Sequence, residues 1–436
     1  MSSQGNIAFA SGSAVFEGVP GKLGLIAKDG DPISGLPGNV LFSSYTEKLA
    51  VNNLGEVAFI GSVKGALSGQ GIFASVDGDF QKVWMGSEYD LTSPFSFSDK
   101  GLVMAARTQL LFWDKKTTQI IAQNGQALDL YPGCVLSFSS SYGSPAFVQP
   151  RINNTGDIVF GTDFKRAPNS TATCPASAML RWNDGKWSTV VDTLQSAPNM
   201  PDYKFQLAGP TLLNDAGGVT FTTDNTYYKT GYFFSTWYKL PNQTPQLIAI
   251  SGETVKLDYF TAWLSIASQN QIFARTNNKG QVLVVNQPVA NAPAVGGNTV
   301  FSGEPRAAVP YIGTAQLGAT QLTPLVSVGQ QPPGTSRTTY FDEITGRSIN
   351  DLGDVIIRAN ITDAATGSKA DTLWYADQSK IINRFWSGDQ PITVNGKSYK
   401  YYRVDWYAQS DTQRQLLLHC WGYDSAIPDA LLLMSY

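Results

Sequence analysis

The feature that most constrains the fold is an eight-residue segment that returns along the chain. It begins with Asn, has Gly at its fourth position and continues as a short strand-like run. Four clear copies are Asn52–Phe59, Asn153–Phe160, Asn214–Phe221 and Asn350–Ile357. Weaker copies are Ser2–Phe9, Ser98–Ala105 and Asp411–Leu418. A segment repeated this often decides the architecture of the chain.

Each copy predicts a β-hairpin. Asn and Gly tolerate positive φ, which a tight reversal requires, and alternating polar and apolar residues after the Gly indicate a strand with one buried face. An apolar run also precedes the turn, as in Lys48–Val51 and Thr211–Leu213. The turn therefore joins two strands.

Two further strands follow most hairpins. After the hairpin at Asn52–Phe59, the chain continues with a third strand at Gly71–Phe73, an Asp77-Gly78 turn and a fourth strand at Val83–Ser87. No helical periodicity is present. Four-stranded units at this spacing are typical of a β-propeller, because a small sheet with two apolar faces can bury both only between neighbouring sheets. We therefore predict an all-β fold, a single β-propeller domain of four-stranded blades over residues 1–436.

The blade number depends on the two ends of the chain. The ring has seven blades if the terminal strands complete one blade between them, and eight if they form two incomplete blades. We favour seven. The spacing between successive repeat turns is unusually long before Gly353. We take Asn270 as the turn position of the repeat before it, with Asn277–Gly280 as a second candidate turn. Insertions are expected near residues 131–144, 167–176 and 287–319, and an extra C-terminal hairpin at 413–436, which could add to the edge of another subunit.

The repeat resembles that of bacterial tandem-repeat proteins defined by Asn-x-x-Gly-x-x-Ala-Phe. Asn52–Phe59 matches every fixed position, and Ser2–Phe9 differs only at its first residue. Asn153–Phe160 and Asn214–Phe221 depart at the Ala, so the repeat is degenerate over most of the chain. The resemblance implies a β-propeller-like protein that is exported or attached to the cell surface. It implies no active-site residues.

Charge and hydropathy exclude several classes of protein. The chain has 31 Lys and Arg against 34 Asp and Glu, a net charge of −3, and no basic run, so nucleic acid is not an expected partner. No apolar stretch is long enough to span a bilayer. Residues 1–5 lack the features of a signal peptide, and we expect a mature or recombinant form of an extracellular or cell-surface protein.

Three cysteines are present. Cys134 and Cys174 lie in two of the predicted insertions, and Cys420 follows three leucines as a small buried residue. A disulfide between Cys134 and Cys174 would suit an oxidising compartment, and three reduced structural thiols are the alternative.

Catalytic signatures are sparse. His419 is the only histidine and lies in an apolar run, so we expect it to pack in a strand. One His and no paired Cys spacing exclude the usual zinc patterns, and no metal or cofactor is predicted. Sequence-adjacent acids could serve glycosidase chemistry, which needs two carboxylates. These are Asp29/Asp31, Glu88/Asp90 and Asp342/Glu343, the first two pairs falling at strand-end turns where a structural role is expected. No catalytic residue is predicted.

Aromatic residues are abundant, with 10 Trp, 19 Tyr and 22 Phe. Exposed aromatic faces stack on sugars and anchor protein partners, whereas packing between blades is the alternative use. The candidate ligand-binding residues are Tyr227, Tyr228, Trp237, Tyr238, Tyr401, Tyr402 and Trp406.

The expected function is that of a non-catalytic exported or surface β-propeller that binds a carbohydrate or protein partner, or self-assembles. The alternative is a carbohydrate-active enzyme, a glycoside hydrolase or polysaccharide lyase, with its site at the mouth of the central channel. Acidic residues converging from several blades would favour the enzyme, and exposed aromatic platforms would favour binding.

Overall fold

The structure is a computed structural model. It describes residues 2, 4–11, 13–19, 21–86, 95–106, 108–137, 148–198, 200–225, 233–250, 253–256, 261–265, 275–290, 299–303, 317–319, 323–377, 380–388, 390–394, 397–399, 403–409, 412–421 and 430–436. Two compact units divide the chain. Unit 1 comprises Met1–Ser196, Lys204–Phe221 and Leu240–Asn242; unit 2 comprises Ala197–Tyr203, Thr222–Lys239 and Gln243–Tyr436.

Unit 1 holds four successive antiparallel sheets, named A to D. Sheet A contains β1 (Ile7–Ser11), β2 (Ala14–Val19) and β3 (Lys22–Ala27). Sheet B contains β4 (Val40–Val51), β5 (Val57–Gly65), β6 (Gly69–Val76) and β7 (Asp79–Gly86). Sheet C contains β8 (Ser96–Ser98), β9 (Gly101–Ala106), β10 (Gln109–Trp113) and β11 (Thr118–Gln123). Sheet D contains β12 (Cys134–Ser137), β13 (Val148–Ile152), β14 (Ile158–Arg166), β15 (Ser177–Asn183) and β16 (Lys186–Asp192).

A short pair and another four-stranded sheet follow. The pair is β17 (Ser196–Ala197) with β18 (Met200–Lys204). Sheet E contains β19 (Leu207–Leu213), β20 (Val219–Asn225), β21 (Phe233–Lys239) and β22 (Gln246–Ile250).

The remaining sheets, F to H, belong to unit 2. Sheet F contains β23 (Glu253–Lys256), β24 (Thr261–Ser265), β25 (Arg275–Thr276), β26 (Val282–Ala290), β27 (Thr299–Gly303), β28 (Leu317–Ala319) and β29 (Thr323–Ser327). Sheet G contains β30 (Thr339–Ile349), β31 (Val355–Asp363), β32 (Lys369–Ala376) and β33 (Ile381–Ser387). After the pair β34 (Ile392–Val394) and β35 (Lys397–Tyr399), sheet H contains β36 (Arg403–Gln409), β37 (Gln415–Trp421) and β38 (Ala430–Ser435).

The sheets bury both faces, as the repeat requires. On β5, Val57 and Phe59 pack with Val15 of sheet A, whereas Ala58 between them packs with Leu102 and Met104 of sheet C. Burying a side chain such as Phe59 completely contributes roughly 1.5–3 kcal/mol. Alternate residues of one strand thus belong to different cores, which is how propeller blades pack.

The same alternation holds within unit 2. Ile357 of β31 packs in one core with Leu283 and Leu325 of sheet F. Its neighbour Ile356 packs in another core with Leu416 and Leu418 of sheet H. The chain is therefore an all-β protein of the β-propeller class, as the repeat predicts.

The terminal strands differ from the seven-blade expectation, which needed both ends in one blade. Among the described residues six sheets, B to G, have four or more strands, while A and H are separate sheets of three. The expected hairpin at 413–436 is not an independent addition, because β37 pairs along its length with β36.

Two predicted insertions contribute strands. β12 lies within 131–144 and pairs with β14, and the region 287–319 supplies the end of β26 together with β27 and β28. Residues 138–147 lie outside the described part of the chain. In the described part, no helix is long and apolar enough to cross a membrane.

The first strand of each repeat, the one before the Asn turn, contacts the first strands of its neighbours. In unit 1 this succession is β4, β8, β13 and β19, and in unit 2 it is β25, β30 and β36. First strands from consecutive repeats therefore run side by side within each unit.

Candidate functional site

The repeated Asn turn has one geometry in five copies. The carbonyl of Asn52 accepts a bond from Gly55 N at 3.2 Å, and Gly55 has a φ of 88°. This is a three-residue hairpin loop with the bulge that a glycine of positive φ allows. The carbonyl of the Asn accepts the same bond at the other four copies, which begin at Asn153, Asn214, Asn277 and Asn350. The repeat position of sheet F is thus Asn277–Gly280, which corrects our choice of Asn270, a residue outside the described part.

The Asn itself has a role that its backbone tolerance does not explain, because none of these five residues has positive φ. Its Oδ1 accepts from the amide four residues on, at 3.0 Å in Asn52 and 2.8 Å in Asn153. Its Nδ2 donates to the next turn along the chain: Asn52 to Ser98 O at 3.1 Å, Asn153 to Asn214 O at 2.9 Å. In unit 2, Asn277 donates to Asn350 O at 2.9 Å. The side chain therefore joins consecutive sheets.

An acidic residue at the second position of the turn completes this link. Asp99 accepts from Asn53 N at 2.8 Å, Asp215 from Asn154 N at 2.9 Å and Asp351 from Asn278 N at 2.8 Å. These carboxylates bind the turn of the preceding repeat, so their role is structural.

The acidic residues just after the turn glycine are paired with cations. Glu56 lies 2.5 Å from Lys115 Nζ, Asp157 lies 3.0 Å from Arg181 Nη1, and Asp354 lies 3.0 Å from Arg414 Nε. Asp157 also accepts from Asn183 at 2.7 Å, and Asp354 from Tyr375 at 2.9 Å. These carboxylates are held in ion pairs and hydrogen bonds within the fold, which indicates a structural role.

The acid pairs named from the sequence are engaged as well. Asp29 pairs with Lys64, and Asp31 accepts from Lys28 N at 2.9 Å. Asp342 pairs with Lys369 at 2.8 Å, and Glu343 accepts from Asn360 at 3.0 Å. Glu88 and Asp90 lie outside the described residues. Within the described ranges no group of three or more His, Cys, Asp or Glu could hold a metal ion.

Two other carboxyl groups are protonated more easily than usual. Burial raises the pKa of Glu17, which accepts from Ser75 Oγ at 3.3 Å, and burial also raises the pKa of Asp163. Glu17 lies on β2 of sheet A and Asp163 on β14 of sheet D. They lie on different sheets, and no hydrogen bond or ion pair between them is present among the described residues.

The predicted aromatic site is not assembled by the residues that the structure describes. Trp237 and Tyr238 are 0% and 4% exposed, because β21 directs them into the protein, where Trp237 Nε1 donates to Ser235 Oγ at 2.7 Å. These two residues are core and not an exposed platform. Trp406 lies on β36, with its backbone opposite Leu418. Tyr227, Tyr228, Tyr401 and Tyr402 fall outside the described ranges.

Cys134 and Cys174 form a disulfide, with an Sγ–Sγ distance of 2.02 Å and Cα atoms 5.8 Å apart. It joins the start of β12 to the segment before β15. Beside it, burial raises the pKa of Tyr131, whose hydroxyl donates to Asp192 Oδ2 at 2.8 Å. Cys420 is a free, buried thiol, and burial raises its pKa to about 12.

Two cations on first strands that flank β8 were not identified from the sequence. Lys48 of β4 donates to Phe95 O, and its Nζ lies 4.8 Å from the centre of the Phe95 ring. Burial, with the charge of Arg151 on β13, lowers the pKa of Lys48 to about 8. Burial likewise lowers the pKa of Arg151. The positive charge of Arg151 therefore disfavours the charged form of Lys48.

No ion pair links Lys48 or Arg151 to a carboxylate among the described residues. Arg151 Nη2 donates to Gln149 Oε1 at 3.4 Å, whereas its buried Nε has no hydrogen-bond partner among the described residues. Both cations lie beside register shifts, between Tyr45 and Leu49 on β4 and between Val148 and Arg151 on β13. Bulges re-aim side chains, and no sequence signal marked these.

Comparisons with known proteins give a family without an activity. No curated protein matches the sequence. The structure is similar to that of the polysaccharide lyase Uly1, with 11% identity, a TM-score of 0.38 and coverage of 99% of this chain and 98% of the other. It is also similar to an α-L-arabinanase of Penicillium chrysogenum in complex with arabinobiose, with 10% identity, a TM-score of 0.30 and 98% coverage of each chain. Likenesses this distant carry no argument about activity.

The family is shown by the sequence itself. Residues 92–408, most of the chain, match a family described as DUF7453, a family of unknown function. This match does not name the repeat, and the resemblance to the Asn-x-x-Gly-x-x-Ala-Phe proteins stays an expectation. The chain belongs to the DUF7453 family.

Proposed function

We propose that this protein is a non-catalytic binding protein, exported or held at the cell surface, whose ligand is a carbohydrate. The observation that carries the proposal is a difference between its charged residues in how they are paired. The carboxylates near the repeat turns are used to join sheets or to pair with cations, whereas no carboxylate of the described residues pairs with Lys48 or Arg151. A ligand is the remaining partner for such donors.

Export is supported by the disulfide between Cys134 and Cys174, because disulfides persist in oxidising compartments. Self-assembly through 413–436 is less well supported, since one edge of that hairpin is already paired with β36. A protein ligand in place of a carbohydrate is an outcome that the experiment below separates.

The experiment combines a glycan array with a depolymerisation screen on soluble polysaccharides, using the whole protein. We expect binding to at least one glycan class, with no change in its chain length after prolonged incubation. Release of reducing ends or of unsaturated products would establish the enzyme alternative instead. Failure to bind any glycan, together with no turnover, would reject a carbohydrate ligand and leave a protein partner or self-assembly.

A further inference from the structure

Three consecutive first strands meet at one place in unit 1. Lys48 lies on β4, Phe95 immediately precedes β8, and Arg151 lies on β13. The Lys48 ammonium is held by the carbonyl and ring of Phe95. β13 is fixed against β8 by a bond from Ile152 N to Ser96 Oγ of 3.2 Å. The two cations are thus positioned by backbone from neighbouring sheets and not by flexible loops.

This arrangement is unfavourable without a partner. Moving a cation out of water is costly unless a carboxylate or a set of acceptors replaces the water, and two cations side by side add repulsion. Arg181, on β15, shows the usual solution in this chain, since its guanidinium pairs with Asp157 at 3.0 Å. Lys48 and Arg151 have no such pair among the described residues. Groups left in this state are concentrated at functional sites.

The unused donors specify the ligand. Lys48 has three N–H donors, of which Phe95 O takes one, and the Arg151 Nε–H is buried without an acceptor. A guanidinium edge with a free Nε matches the two oxygens of a carboxylate or sulfate, and an ammonium beside it adds a point charge. A neutral sugar hydroxyl could accept one bond but would leave the two charges uncompensated.

We propose that Lys48 and Arg151 form a binding site for a single oxyanion, the carboxylate or sulfate of an acidic saccharide. The inference rests on the proposed carbohydrate-binding function and specifies its ligand class. The two buried cations favour a single anionic group that enters between the strands. An acidic saccharide would therefore place one carboxylate or sulfate between Lys48 and Arg151.

The test is calorimetric titration of the whole protein with trigalacturonate, with a chondroitin sulfate tetrasaccharide, with maltotriose as the neutral sugar, and with sodium sulfate as the free anion. We expect one of the two acidic saccharides to bind, more tightly than sodium sulfate, and maltotriose not to bind. The variants Lys48→Met and Arg151→Met should each weaken that binding at least tenfold, because each loses charged hydrogen bonds. Lys64→Met is the matched control, since Lys64 lies exposed in the same sheet and pairs with Asp29; its affinity should stay within twofold.

The remaining outcomes are separable. Unchanged affinity in both Met variants would overturn the site while leaving the binding function intact, as would tight binding of maltotriose. Sulfate as tight as the saccharides would show a free-anion site and overturn the saccharide assignment. If neither acidic saccharide binds although the glycan array shows a neutral ligand, only this inference fails. A thermal midpoint for Lys48→Met at or above that of the wild type is expected, and shows that its loss of binding is not loss of fold.

Discussion

Strand β21 contains the consecutive residues Ser235, Thr236 and Trp237. The hydroxyl groups of Ser235 and Thr236 differ in their hydrogen bonding. Ser235 Oγ accepts from Trp237 Nε1 at 2.7 Å and bonds Thr223 Oγ1 at 2.7 Å. Thr236 Oγ1 is buried and has no hydrogen-bond partner in the part of the chain that the structure describes. A buried Trp keeps its N–H satisfied by such a neighbour, which explains why Trp237 belongs to the core and not to a ligand platform.

Removing each hydroxyl separately tests this difference. Ser235→Ala removes the Oγ that accepts from the Trp237 indole N–H and should lower the free energy of unfolding by about 1–3 kcal/mol. Thr236→Val removes a buried hydroxyl that bonds nothing and should be neutral or stabilising. Chemical denaturation of both variants measures the effect; equal losses in the two would contradict the hydrogen-bond assignment.

Lys48 predicts a dependence on pH. Its folded-state pKa, about 8, lies below the ordinary value of 10.5, because the ammonium is buried and Arg151 is the charged group that acts on it. Between these two values the unfolded chain binds more protons than the folded one, so the contribution of Lys48 to stability rises with pH. Below pH 8 the folded state bears the full cost of the charged group.

Replacing Lys48 by Met removes that cost. The stability advantage of Lys48→Met over the wild type should be largest near pH 7 and shrink as the pH rises from 8 toward 10.5. Denaturation curves at each pH measure it, with Lys64→Met as the control that shows no such convergence. An advantage independent of pH, or one that grows with pH, would refute the buried, charged Lys48.

At the scale of elements, the disulfide tethers a segment that has no repeat of its own. Cys134 on β12 and Cys174 before β15 are 40 residues apart in sequence. Closing a loop of that length restricts the unfolded chain and stabilises the folded one by roughly 3–4 kcal/mol in the chain-entropy account.

Reduction should therefore lower the midpoint of urea unfolding of the wild type. The double variant Cys134→Ala/Cys174→Ala should be less stable and should not respond to dithiothreitol, since Cys420 is buried and unpaired. A wild type whose unfolding curve is the same with and without reductant would show that the bond does not constrain this region.

The hairpins could be predicted from the sequence because their signal is local. Asn and Gly at fixed spacing with apolar runs on each side determine a turn whatever surrounds it. In sheet F the same local signal is present at Asn277–Gly280, and the pairing of β25 with β26 shows that this turn, not Asn270, is the repeat position. The burial of Trp237 and the meeting of Lys48 with Arg151 depend on neighbouring strands, so composition alone could not choose between packing and ligand binding for Trp237.

At the scale of the whole molecule, the repeated Asn is the device that joins one sheet to the next. Its side-chain oxygen closes its own turn, and its side-chain nitrogen reaches the following turn in both units. The same link therefore recurs at Asn52, Asn153 and Asn277. Face-to-face burial supplies most of the stability, and the Asn fixes how the sheets are aligned.

The most direct test replaces the linking residues Asn52, Asn153 and Asn277 one at a time by Asp, which keeps the acceptor for the local turn and removes the donor to the next sheet. Asn277→Asp is the cleanest, because its neighbour four residues on is the neutral Gln281. Asn169→Asp and Asn242→Asp, at exposed positions of positive φ, are the controls. The measurement is the free energy of unfolding: we predict losses of about 1–3 kcal/mol at each linking Asn and almost none at the controls. Losses at the linking positions no larger than those at Asn169 and Asn242 would contradict the account.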